Sequence, residues 1–421
     1  MPWPVRMTLV VSALLVLGHV YVWRRLASAL IELGACPARE ARLASWLVTA
    51  FLNLLPLVLL IAYKMGFGGQ LFLNSPARHW LDYLLTFPFW WGLLVVLELL
   101  PYFLALDLAG GALRLAGVVP GAPSTAGLAA WPWFRILAGL KVALVAVLMV
   151  YVGVAAYLDT NRVRLSVAPV TVPGLPPELR GLRLVLLGDV QVDRETGPDK
   201  LARMRARVAE ARSDLLLFAG DLVTDGPDFV EAGLRSLCGL EAPLGRVACM
   251  GDHDYWSAPA LIAGGLDRCG WSFLDNRHRV IEVTNRPGTG DRGPMQPRRI
   301  LVTGVRYIYS DRPSPEELDR LLAAAPPADL KVLLVHQPAR PVVQAAARHG
   351  YRLLLAGHTH GGQFVFHPFG FTLSPTQVEN RFYSGHYRYG DLHVVVTNGV
   401  GLTLAPLRFG APAEVSLVTL Q

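Results

Sequence analysis

Four apolar stretches of membrane-helix length, residues 5–23, 46–63, 84–106 and 136–158, fall in the first 160 residues of this 421-residue chain, and none comparable follows Asp159. At 1.5 Å rise per residue, about 20 helical residues cross a hydrocarbon core of about 30 Å. Residues 1–160 are therefore expected to form an all-α transmembrane region of about four helices. The first stretch has the look of a signal peptide, with Arg6 ahead of it and Ala27-Ser28-Ala29 behind, but its length and the stop at Arg24-Arg25 favour a retained span. Glu98, between Pro88 and Pro101 in the third stretch, is a functional-site candidate by its depth, with a Glu paired within the bundle, or lying at another depth, as the favoured reading. Apolar residues run on through 107–119, broken by Arg114 and glycines, as a partial fifth span.

Charge divides the chain at the same place. The first 160 residues hold 16 charged groups and the other 261 hold 55, so the overall 52% apolar and 17% charged average two unlike parts. Residues 161–421 approach the roughly 25% charge of a soluble domain. No basic stripe points to nucleic acid. Between spans, six Lys/Arg (Arg24, Arg25, Arg39, Arg42, Arg114, Arg135) face five on the opposite side (Arg6, Lys64, Arg78, Arg162, Arg164). That single-charge difference leans the C-terminal half of a multi-pass cell (inner) membrane protein towards the outside of the cytoplasm. The cysteines add nothing, because Cys238, Cys249 and Cys269 cannot all pair.

From residue 161 the pattern is α/β. Short Leu/Val runs at 182–187, 215–219, 246–250, 300–302, 331–335, 351–356 and 392–397 alternate with helical stretches. Helices are expected at 199–211 and at 314–325, the second opened by Ser314, Pro315 and Glu317 as a capping box. Residues 285–299, rich in Gly, Pro and Arg, are expected as an exposed loop. Five runs lead into residues of metal-ligating type: Gly188-Asp189, Gly220-Asp221, Gly251-Asp252-His253-Asp254, His336 and Gly357-His358-Thr359-His360. Sites in open α/β sheets form beyond the carboxyl ends of strands, so these side chains can converge across long sequence separations.

This series, GD, GDLVTD, GDHD, a lone His and GHTH in order, resembles the calcineurin-like metallophosphoesterases over roughly residues 180–421. GHTHGGQ, YSGHYRYG, NGVG and PLRFGAPAEVSLVTL are similar to its membrane-associated bacterial subgroup. The multi-span N-terminus is similar to that of transmembrane proteins with a metallophosphoesterase domain. The resemblance implies a four-layer α/β/β/α sandwich and two divalent metals, of which Mn, Fe or Zn suits a mixed carboxylate and imidazole set. It implies Asp221 as the bridging ligand, Asp189 and His360 on the first metal, and Asp252, His336 and His358 on the second. His253 would stabilise the phosphoryl group or protonate the leaving oxygen, with Asp254 orienting its ring.

Two positions depart from the family's pattern. Gln191 stands where the first motif usually has His, a neutral and weaker oxygen ligand for the first metal. Asp252 stands where the third motif usually has Asn, adding negative charge. Asp225 is expected to support the ligands from outside. The expected function is an integral-membrane, metal-dependent phosphohydrolase cleaving a phosphate ester or diphosphate with a metal-activated hydroxide. The alternative is a degenerate metal-binding scaffold. The tether between Leu158 and Arg162 suggests membrane lipids as partners and a phosphorylated, lipid-linked substrate; hydrolysis of UDP-diacylglucosamine by some membrane-associated relatives makes that reaction a candidate by resemblance. Arg277, His278, Arg279 and the 285–299 loop are weighed as head-group contacts against solvated surface. Trp256 either lines the groove or packs.

Overall fold

The apolar stretches fold as helices: α1 (Trp3–Glu32), α2 (Ala38–Leu52), α3 (Leu54–Lys64), α4 (Phe87–Leu115) and α5 (Trp131–Asn161). The computed structural model describes residues 3–66, 80–116, 131–284 and 296–421; Arg78 and the 285–295 part of the expected loop lie outside the described residues. Three helical segments, Val10–Glu32, Asp82–Leu115 and Trp133–Asn161, are long and apolar enough to cross a membrane. The second stretch differs, because α2 and α3 are bent by 45°. Pro56 supplies the cause: it has no N–H for the Leu52 carbonyl and its ring clashes there. Accordingly α2 ends at Leu52, and Asn53 takes φ −113° and ψ 16° between the two helices.

The partial fifth span expected over 107–119 is corrected. Helix α4 continues through Pro101 and Asp107 to Leu115, and residues 117–119 lie outside the described residues. Asp107 accepts a hydrogen bond from Tyr21 at 2.7 Å and pairs with Lys141 and Arg25, both at 2.6 Å. A carboxylate in such surroundings is tolerated when it is paired. Glu98 is buried within α4.

Contacts divide the chain into one unit of Met1–Tyr157 with Phe366–Leu373 and another of Leu158–Val365 with Ser374–Gln421. The second unit runs β1 (Arg164–Val170), β2 (Arg183–Leu187), α6 (Pro198–Ala211), β3 (Leu215–Phe218), α7 (Val230–Cys238), β4 (Arg246–Ala248), α8 (Asp252–Ser257), α9 (Pro259–Arg268), β5 (Ser272–Phe273) and β6 (Arg277–Val283). It continues through β7 (Arg298–Val305), α10 (Pro315–Ala323), β8 (Leu330–Val335), α11 (Arg340–Arg348), β9 (Leu353–Ala356), β10 (Gly385–Tyr389), β11 (Leu392–Val396) and β12 (Glu414–Leu420). Two six-stranded sheets result, in the orders β1-β12-β2-β3-β4-β5 and β10-β11-β9-β8-β7-β6.

Strand periodicity builds the layers. Successive side chains point to opposite faces, so Leu184, Leu186, Leu215 and Leu217 of the first sheet meet Val332, Leu334, Leu353 and Leu355 of the second in one core. The alternate residues Val185, Leu187, Leu216 and Phe218 face Leu201, Met204 and Val208 of α6 and Ile262 and Leu266 of α9. On the other outer side, Leu333, Val335 and Leu354 pack on Leu318 and Leu322 of α10 and Val342 and Val343 of α11. Three apolar layers between four layers of backbone give the helix-sheet-sheet-helix sandwich. At α10 the capping box forms, with Ser314 Oγ accepting from Glu317 N at 3.1 Å and Glu317 Oε2 from Ser314 N at 2.8 Å. Cys238 and Cys269 are joined in a disulfide, while Cys36 and Cys249 are free thiols.

Candidate metal centre

Strands β2, β3 and β4 run parallel in one sheet, and β8 and β9 run parallel in the other. Their carboxyl ends deliver Asp189, Asp221, Asp252, His336, His358 and His360 to two groups. Ligand atoms of Asp189, Asp221 and His360 lie within 4.8 Å of one another, and so do those of Asp252, His336 and His358. Asp221 links the groups, since its Oδ2 is 3.3 Å from His336 Nε2, which is 3.3 Å from Asp252 Oδ2. His358 Nδ1 is 3.0 Å from the same Asp252 oxygen.

The turns that aim these groups are strained. Asp189, Gln191, Asp221, His358 and His360 all have φ between 47° and 75°, a left-handed region sparsely used by residues with a Cβ. Such strain persists where the surroundings over-determine it, and it clusters at functional sites. Gly220, at φ 92°, lets the β3 turn pass the β4 turn, because a Cβ there would lie 2.3 Å from Gly251 N.

Hydrogen bonds fix the individual rings and carboxylates. His336 Nδ1 donates to the Ala219 carbonyl at 2.8 Å, leaving the Nε2 lone pair for a ligand. Asp252 accepts from Tyr309 N at 2.7 Å and Gln337 Nε2 at 2.8 Å. Asp221 accepts from His253 N at 2.9 Å and Gln191 Nε2 at 2.8 Å. Gln191 Oε1 and Asp189 Oδ2 are buried without a hydrogen-bond partner among the described residues. Buried oxygens without partners are costly, and a bound cation would remove that cost.

Electrostatics point the same way. Burial pushes Asp189 up to about 7, with Asp221 adding to the rise and His336 opposing it. Burial favours neutral His336, yet Asp221 and Asp252 overcome it and hold the ring well above its ordinary value. His360 moves the other way, driven by burial and then by Arg408, and stays neutral as a ligand must be. Three buried carboxylates drawing a proton onto a buried imidazole form a site that calls for positive charge, and the donor set fits divalent metals.

Two expected supporting roles are corrected. Asp254 does not orient the His253 ring: its carboxylate accepts from the backbone N–H groups of Asp221 at 2.8 Å, Leu222 at 2.7 Å and Gly251 at 3.2 Å. As the third residue of α8 it reaches back to the helix start and across to the Asp221 turn, and burial holds it up at about 6. The His253 ring is instead tied through Nδ1 to the Thr224 carbonyl at 2.5 Å. Asp225 is exposed and holds none of the candidate ligands among the described residues; Asp254 does that work at the Asp221 turn. Arg277, His278 and Arg279 lie on β6, the edge strand of the second sheet, with His278 bonded to Thr303 at 2.8 Å. Trp256 is 53% exposed, edge-on to His253 at 5.4 Å and stacked with Tyr309 at 6.4 Å.

Three groups went unnoticed in the sequence. Gln337 follows a ligand directly, which was a usable signal. Tyr309, whose hydroxyl is 3.2 Å from His358 Nε2 and bonded to Glu379, follows no motif. Arg408, in the PLRFG run, is fully buried and donates to the carbonyls of His360 at 2.8 Å, Asn398 at 2.7 Å, Ala411 at 3.1 Å and Gly401 at 2.7 Å.

A two-sheet sandwich with paired acidic and imidazole clusters at its strand ends defines the class of metal-dependent phosphoesterases. Residues 182–362 match the family model of the calcineurin-like phosphoesterases, and the α/β unit is a calcineurin-like metallophosphoesterase domain, a phosphoesterase hydrolase. The chain is 28% identical over 427 residues to a transmembrane protein with metallophosphoesterase domain from Danio rerio, covering 99% of this chain and 89% of the relative. The Bos taurus protein of the same name is 25% identical over 440 residues, with the same coverages. A Bacillus subtilis metallophosphoesterase, YkuE, is 25% identical over 275 residues, 64% of this chain and 89% of the relative.

Proposed function

We propose that this chain is an integral-membrane phosphohydrolase with a binuclear metal centre, acting on a phosphate ester or diphosphate of a lipid or lipid-linked molecule. The observation that carries the binuclear reading is Asp221, a member of one three-residue ligand group whose Oδ2 lies 3.3 Å from His336 Nε2 of the other. Asp189, Asp221, His360 and the Gln191 amide oxygen would hold the first ion; Asp221, Asp252, His336 and His358 would hold the second. Bound divalent ions supply Lewis acidity to the phosphoryl oxygens and acidify the attacking water.

The protein's own groups do the rest. Asp254 and the glycine turns hold the Asp221 and Asp252 backbones in place. His253, anchored through Nδ1 to Thr224, keeps Nε2 as the ring atom that can give a proton to the departing oxygen. Trp256 and Tyr309 form an aromatic wall beside it, suited to the non-reacting part of a substrate. A scaffold has no use for a ring anchored this way beside the ligands, which favours the enzyme. Helices of spanning length and a tether from Leu158 to Arg162 support a membrane-resident substrate. The Cys238–Cys269 disulfide belongs to an oxidising compartment and supports the lean of the catalytic unit outside the cytoplasm.

The test is full-length protein in detergent, with metal content measured by mass spectrometry. Hydrolysis of p-nitrophenyl phosphate and bis-p-nitrophenyl phosphate is then followed with Mn, Fe and Zn. Turnover that Asp221→Ala abolishes supports the proposal. No turnover above that variant with any metal would leave the scaffold reading in possession.

A further inference from the structure

Where the chain leaves the last spanning helix, four arginines face a common space. Asn161 ends α5, and Arg162, Arg164, Arg203 and Arg207, with Val163 and Leu165, line a cleft of about 550 Å³. Local geometry brings them together. Arg162 and Arg164 are both exposed, on either side of the buried Val163, where the chain passes from α5 into β1. Arg203 and Arg207 are four apart on α6 and share a helix face.

Their partners leave positive charge over. Arg164 pairs with Asp159 at 3.0 Å, Arg207 pairs with Glu210, which also lines the cleft, and Arg203 donates to the Asn161 carbonyl at 2.8 Å. Arg162 has no side-chain partner among the described residues. Four guanidinium groups against two carboxylates are a cationic site, and the planar fork of Arg matches phosphate oxygens bidentately. The cleft lies within the size range of small-molecule sites.

Depth identifies the phosphate. Leu158 is the last apolar residue of α5, and Arg162 follows by four residues, roughly 6 Å of helix rise. The head-group layer extends roughly 5–7 Å beyond the hydrocarbon core. We propose that this cleft binds the phosphate head group of an anionic phospholipid from the surrounding leaflet, as a lipid site made by β1 and α6 rather than by the metal-ligand turns. The proposal does not depend on the hydrolase reading, because the metal ligands take no part in it.

Full-length protein is exchanged into nanodiscs of equimolar phosphatidylglycerol and phosphatidylcholine, released, and its retained lipids are counted by native mass spectrometry. The expected result is retention of phosphatidylglycerol, with the preference reduced at least about tenfold in R162Q/R164Q/R203Q/R207Q, as a contribution of about a few-fold per arginine predicts. R162Q/R207Q leaves the Asp159 and Asn161 contacts intact, and it should lose several-fold at unchanged Tm. Equal retention in wild type and both variants overturns the proposal. So does release of the lipid by millimolar glycerol phosphate, which would assign the cleft to soluble phosphate esters.

Discussion

Replacing Arg408 with Met sets two large terms against each other. Burial pushes the guanidinium from 12.5 down to about 10, so keeping it charged costs the fold roughly 3 kcal/mol, which the substitution removes. Against that, the carbonyls of Asn398, Gly401 and Ala411 lose their donor, while that of His360 keeps the Gln363 N–H at 3.1 Å. An orphaned buried acceptor costs roughly 1–3 kcal/mol, so three cost roughly 3–9 kcal/mol. At the middle of that range the orphan term wins by about 3 kcal/mol. At roughly 2–4 °C per kcal/mol for a domain of this size, Arg408→Met should lower Tm by roughly 6–12 °C. Intrinsic tryptophan fluorescence of the full-length protein in detergent reads it. Arg408→Lys keeps the charge but offers three donors from one point, so it should fall between. Both variants should also retain less metal, because the His360 turn is held by this side chain. A Met variant melting within about 2 °C of wild type would refute the reasoning.

Lys200, buried on α6 with no hydrogen-bond partner for Nζ among the described residues, is pushed from 10.5 down to about 7 by burial and then by Arg408. The unfolded chain binds the extra proton between those values, so stability rises with pH across that window and the deficit is complete below about 7. The wild type should gain about 2 kcal/mol from pH 7 to 9 while Lys200→Met gains none from this source, and parallel Tm profiles for the two would contradict it. Gln191→His should raise affinity at the first metal position, seen as slower metal loss during chelator titration; identical loss would remove Gln191 from the ligand set. A C-terminal alkaline phosphatase fusion should be active and a fluorescent-protein fusion dark, and the reverse pattern would place the catalytic unit in the cytoplasm.

The candidate metal ligands were legible because each follows a Leu/Val run within a few residues, and the strand both announces itself by composition and fixes the side chain's position. The edges were not. Strand β6 alternates exposed and buried residues around Arg277, His278 and Arg279, so it read as surface charge, and β12 hides in a run quoted only for its likeness to the family. The 107–119 stretch was misread because Arg114 and the glycines suggested a break, whereas α4 carries Asp107 forward by pairing it with Tyr21, Lys141 and Arg25. The family resemblance assigned Asp254 to its neighbour His253. The helix start assigned it instead to the Asp221 turn, a contact 33 residues away in sequence that no local pattern carries.

The departures at Gln191 and Asp252 fall on opposite metal positions, and this gives them a joint consequence. In the proposed centre the first position would gather three oxygen donors, Asp189, Asp221 and the Gln191 amide, with the single imidazole of His360. The second would gather Asp221, Asp252 and the imidazoles of His336 and His358. Hard oxygen-rich sets suit Mn, whereas imidazole suits Zn and Fe, so exchanging imidazole for amide at the first position separates the two preferences. The added carboxylate of Asp252 is held by Tyr309 N and Gln337 Nε2, which keeps its charge at the second position. A centre built this way should lose its first ion before its second under a chelator, and refill that position more readily with Mn than with Zn.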